Sequence, residues 1–171
     1  IFSSLFRVLN GRFEYKTIIT EKNNRPSKIA YESNVSIALQ ERRINYLVKN
    51  DQLITVDVFP KKEQTKFTNP KQIDFEFIDP AYAIMKILGA PCQNSFTAYD
   101  GRRIIDVIPM EPASNLECRY VYRIHKGPGH LRPFNFKTFE ISTFFDQNGN
   151  LATRTMIVKT GPFKLIFNKV P

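Results

Sequence analysis

The chain reads as a mainly β protein, α+β by strict count: a strongly curved antiparallel β-sheet or half-barrel meander with one short helix packed on its concave face. Three observations carry that expectation. Apolar and polar residues alternate with period two from one end of the 171 residues to the other, turn-forming residues punctuate the alternating runs, and the helical three-and-four spacing occurs convincingly once.

In chain order, strands are expected over residues 5–9, 13–20, 28–38, 43–49, 53–59, 102–108, 117–124, 136–145, 151–159 and 163–169. Between them stand Asn10-Gly11, Asn23-Asn24-Arg25-Pro26, Asn50-Asp51, Gln147-Asn148-Gly149-Asn150 and Thr160-Gly161-Pro162. These residues tolerate positive φ or preset a bend, so neighbouring strands should pair as hairpins. Pro60 to Asn69 is polar and aperiodic and reads as a surface loop. The helix is expected to open at Asp79-Pro80, an N-cap followed by proline at the first helical position, and to stop at Gly89. Ala81, Ile84, Met85 and Leu88 then share one face, which should lie against the sheet. Such a helix plugs the open face of the sheet or forms a mobile lid over a cavity.

One domain over residues 1–171 fits the length, which suffices for a real core. No apolar run approaches the roughly 18 residues needed to cross a bilayer as a helix, and no signal peptide pattern is present. The chain starts at Ile1 and enters a strand-like stretch almost at once, so the expectation is a mature or trimmed chain whose leader and first strands have been removed. The net charge of +9 favours anionic partners such as headgroups, lipopolysaccharide or an acidic protein face. The basic residues are scattered in pairs (Arg42-Arg43, Lys61-Lys62, Arg102-Arg103), without the dense block of a nucleic-acid arm, so no nucleic acid is expected as a partner.

Cys92 and Cys118 are the only cysteines. An even count in a chain that reads as exported favours a disulfide; two buried thiols in a cytosolic protein are the alternative. Two cysteines and two distant histidines lack the close spacing of zinc motifs, so no metal and no cofactor is expected. His125 and His130 flank a glycine- and proline-rich loop that either cradles an anion with backbone N–H groups, His130 and Arg132 or serves as a rigid strand connection. A histidine base with a cysteine nucleophile needs a free thiolate, which a disulfide removes. Catalytic elbows, phosphate loops and dinucleotide fingerprints do not occur, and the spacing of Asp100, Asp106 and Glu140 does not demand a catalytic pair. The expectation is therefore a protein that is not an enzyme. Fifteen Phe and seven Tyr accompany no Trp, and Phe134, Phe136, Phe139, Phe144 and Phe145 crowd one stretch. In a strand Phe134, Phe136 and Phe144 share a face opposite Phe139 and Phe145. A strand apolar on both faces is covered twice or borders a hydrophobic cavity, the hint of a lipid-like ligand.

Tyr99-Asp100-Gly101-Arg102-Arg103-Ile104-Ile105-Asp106 and Cys118-Arg119-Tyr120-Val121-Tyr122 carry a resemblance. Together with Asp79-Pro80, Cys92 and Gly129-His130-Leu131-Arg132-Pro133, their order is similar to that of a family of exported alphaproteobacterial proteins known only as a domain of unknown function, number thirty-one-oh-eight. The similarity is strong from Asp79 to Pro133 and weak before it, and Leu131 interrupts the family's Gly-His-Arg-Pro station. The resemblance implies a curved half-barrel of the kind that carries or senses lipoproteins in the periplasm. The functional expectation is a periplasmic or secreted binding protein for an acyl chain or lipoprotein, with Ile84, Met85, Leu88, Phe136 and Phe144 at the hydrophobic site and Arg102, Arg103, His130 and Arg132 toward an anion. The alternative is an interaction module or secreted effector that docks an acidic protein through its basic face.

Overall fold

A computed structural model describes residues 11–22, 25–37, 40–130 and 135–168. It is mainly β, antiparallel throughout, with one α-helix among the described residues. The strands expected over residues 5–9, and the loop positions 131–134 that include Arg132, lie outside the described residues. Where a single curved sheet is expected, the ten described strands form two open sheets. The chain divides into two compact units, residues 1–81 with 100–102, and residues 82–99 with 103–171.

The first unit is a four-stranded meander: β1 (Gly11–Lys22), β2 (Arg25–Ile37), β3 (Gln40–Lys49) and β4 (Gln52–Phe59), paired in that order. Asn50 and Asp51 both hold positive φ, 46° and 61°, between the paired residues Lys49 and Gln52, as a two-residue primed hairpin turn requires. Tyr31, Ser33 and Val35 of β2 and Ile44, Tyr46 and Val48 of β3 all point to one buried face, the period-two pattern in its plain form. Tyr31 and Tyr46 stack at 4.6 Å, and Phe77 meets Tyr46 edge-on. Burial holds the Tyr31 hydroxyl well above the ordinary tyrosine pKa; a hydrogen bond with Ser33 opposes the shift, and the nearby Asp100 adds to it.

The stretch after β4 departs from the surface loop expected there. Three short 3-10 turns, Lys61–Glu63, Lys66–Thr68 and Pro70–Gln72, bury Glu63 and Phe67. The second is closed by a reciprocal cap between Thr65 and Thr68.

The second unit holds the six-stranded sheet, ordered β10-β9-β8-β7-β6-β5. Its strands are β5 (Phe96–Tyr99), β6 (Ile104–Met110), β7 (Glu117–Lys126), β8 (Thr138–Phe145), β9 (Leu151–Thr160) and β10 (Phe163–Asn168). Gly161, at φ 51°, opens the two-residue connection from β9 to β10, with proline behind it as the hairpin needs. The helix α1 spans Pro80–Ile87 and terminates at Gly89 as expected. Its face is corrected, however: Ala83 and Ile87, one turn apart, are the buried pair, whereas Ile84 and Met85 are exposed, Met85 by 67%.

Candidate functional site

The chemistry of the six-stranded sheet follows from its registers. Tyr120, Ile141, Val158 and Leu165 stand opposite one another across β7 to β10, and so do Cys118, Thr143, Met156 and Phe167. Opposed residues in a ladder share a face, so these are two lateral rows of one apolar surface. A third row runs through Tyr122 and Phe139 toward Thr160 and Phe163.

Burial along each row is graded. Tyr120, Ile141, Cys118 and Thr143 are buried. Met156 and Val158 are half-buried, and at the edge strand Leu165 is 38% and Phe167 44% exposed. The segment that follows α1 is joined to the buried half at Cys118 and Tyr120. A disulfide joins Cys92 to Cys118, with Cα atoms 5.4 Å apart; the Gln93 backbone N–H donates to the Tyr120 hydroxyl at 2.9 Å; and Lys86 Nζ lies 5.8 Å from the Phe96 ring centre. The β9–β10 half of the surface stays accessible.

At one end the third row closes on an aromatic and basic cluster. Phe136 meets Phe139 at 6.5 Å and Phe163 at 5.5 Å, both edge-on, and Phe139 meets Tyr122 and His130 in the same manner. Arg103, buried, places Nη1 2.8 Å from His130 Nδ1, and the Tyr122 hydroxyl lies 2.8 Å from His130 Nε2. The local backbone fixes His130. It forms an isolated bridge with Phe136, and the Gly129 N–H donates to Asn135 Oδ1 at 2.6 Å. A Cβ at Gly129 would stand 2.3 Å from the Asn135 carbonyl oxygen, so only glycine admits this approach.

Arg102 and Arg103, adjacent in sequence, have different fates. Arg102 is buried in the first unit, where Nη2 pairs with Glu63 Oε2 at 2.7 Å and Nε donates to the Glu63 carbonyl at 2.6 Å. Its backbone N–H donates to Asp100 Oδ1, its carbonyl accepts from Thr65 Oγ1, and Arg42 stands 3.8 Å from the same Glu63 carboxylate. Gly101 turns between them at φ 86°, with an added Cβ only 2.4 Å from Ile44 Cγ2. The Asp-Gly-Arg motif is thus a buried turn and ion pair, and Arg102 presents no charge to an external anion. Neither arginine lies on an exposed basic face.

The other expected site residues scatter. Phe136 joins the aromatic cluster with Phe139, contrary to the expected grouping with Phe144, because residue 136 precedes β8 and strand alternation does not carry to it. Phe144 is half-buried on the opposite face, across from Glu117. Leu88 is half-buried just past α1, while Ile84 and Met85 face solvent. Asp106 stands opposite Arg123 with His125 Nδ1 at 3.4 Å, and Glu140 stands opposite Lys159, cross-strand charge pairs of a solvated face. Glu63 and Phe163 were not singled out by the sequence, and Tyr122 stood there only within a motif station, with no site role; strand order, unknown before the fold, is what gives Tyr122 and Phe163 their place.

No helix among the described residues is long and apolar enough to cross a membrane. No family model matches the chain, and no curated protein or solved structure matches it either.

Proposed function

We propose that the chain is a non-enzymatic, exported binding protein that holds a hydrophobic, lipid-like ligand on the accessible half of the six-stranded sheet's apolar face. The observation that carries this reading is the gradient within single rows, from buried Tyr120 and Cys118 to Leu165 and Phe167 at the edge. A strip of side chains that continues a packed core yet remains open is the arrangement of an apolar binding surface. An acyl chain along Met156, Leu165 and Phe167 extends toward Phe163, and its polar end meets the Tyr122–His130 pair. The Cys92–Cys118 bond supports a site of action outside the cytoplasm, where disulfides persist. The motif stations of the exported family and the lipoprotein-carrier analogy point the same way.

A fluorescent fatty acid titrated into the whole chain is expected to bind saturably. Leu165→Glu with Phe167→Glu should weaken that binding at least about tenfold, about 1.4 kcal/mol, by placing charge on the strip. Met85→Glu, on the exposed side of α1, should leave it within about twofold. Equal binding by all three proteins, or none by the parent chain, overturns the proposal.

A further inference from the structure

We infer that a second site lies in the first unit: a groove along β4 that receives an extended peptide segment with basic residues alternating with apolar ones. β4 is the terminal strand of the four-stranded sheet and pairs with β3 on one side. Residues 73–77 run beside it, with Ile73, Phe75 and Phe77 half-buried and Asp74 and Glu76 exposed. Between them is a hollow of about 720 Å³ whose floor is Leu53, Ile54, Ile73 and Phe75.

A bulge explains the apolar floor. The register with β3 shifts between Leu47 and Val48, which pair with Thr55 and Leu53, so Ile54 is the extra residue and is 44% exposed. The same bulge interrupts any continuous ladder on the outer edge. Gln64 Nε2 meets the Val58 carbonyl at 3.5 Å toward the other end of the strand. Side chains rather than an unbroken backbone ladder therefore supply recognition in the groove.

The rim selects the partner's charge. Asp51, Asp74 and Glu76 line the groove against the single cation Lys71, and among the described residues none of the three carboxylates has an ion pair. The groove is thus negative in a chain of net charge +9. Long-range repulsion by the whole chain disfavours a cationic peptide, so attraction must come from this rim. An extended segment alternates its side chains between two faces, which lets one face meet the apolar floor while the other reaches Asp74 and Glu76.

The probe is a labelled seven-residue peptide alternating lysine and valine, compared by fluorescence anisotropy with one alternating glutamate and valine. The full chain at low salt should bind the lysine peptide saturably and at least about tenfold more tightly than the glutamate peptide, with the preference falling in 0.5 M NaCl. Asp74→Lys with Glu76→Lys should remove at least about tenfold of that affinity. Glu111→Lys with Glu140→Lys, an equal charge change on exposed residues of the second unit, should reproduce the uniform charge effect and retain most of the binding. No preference between peptides, or equal losses in the two double variants, overturns the inference. Self-association that Asp74→Lys with Glu76→Lys abolishes, without peptide binding, overturns it in favour of a second copy as the occupant.

Discussion

Replacing Arg102 by alanine is expected to lower stability by about 3–5 kcal/mol, because it leaves the buried Glu63 carboxylate without its main partner. Urea unfolding followed by circular dichroism should show the midpoint falling on the order of 2 M. Arg42, 3.8 Å from the same carboxylate and partly exposed, offers partial compensation and places the effect toward the lower end of that range. Arg102→Met with Glu63→Leu is the informative companion. Removing both charges eliminates the uncompensated carboxylate, so the paired variant should recover most of the loss despite the absent ion pair. A single variant within about 1 kcal/mol of the parent would show that Glu63 is solvated. Equal losses in the single and paired variants would assign the effect to packing.

Reduction of the Cys92–Cys118 bond should have an effect of similar size. The two residues are 26 positions apart, and loop-closure entropy for such a loop amounts to about 3.5 kcal/mol of constraint on the unfolded chain. For a chain of this length that corresponds to a fall of about 7–14 °C in Tm. The bond also fastens the segment after α1 to β7 beside Tyr120, whose hydroxyl accepts from the Gln93 N–H, so that segment should lose hydrogen-exchange protection first. Thermal unfolding with and without reductant measures the effect, and thiol titration of the denatured, unreduced chain should count no free groups. Two reactive thiols, or an unchanged Tm on reduction, would remove both the constraint and the support the bond gives to export.

Local chemistry made much of the fold legible. Asn50-Asp51 and Gly161-Pro162 are placed by backbone dihedral preference alone, and both lie at hairpin turns. Asp79-Pro80 and Gly89 bracket α1 for the same local reasons. β5 escaped because its four residues, Phe96–Tyr99, are too short for alternation to register. The division into two sheets escaped because period two says that a residue faces in, and not which strands share a sheet. The arginines show the limit most clearly. Adjacent residues of equal charge read as one basic patch, whereas Arg102 is committed to Glu63, 39 positions earlier, and Arg103 to His130, 27 positions later. At α1 four apolar residues offered a plausible face, but the small Ala83 with Ile87 was the pair that packed.

The proposed lipid site is most directly examined by native mass spectrometry of the whole chain, purified without detergent from a host made to export it. The expected spectrum holds the protein together with a population heavier by the mass of one acyl lipid. That population should be released on denaturation and diminished in Leu165→Glu with Phe167→Glu. A single ligand-free mass, unchanged after incubation with excess fatty acid, would mean that the open rows of β9 and β10 are not a lipid site.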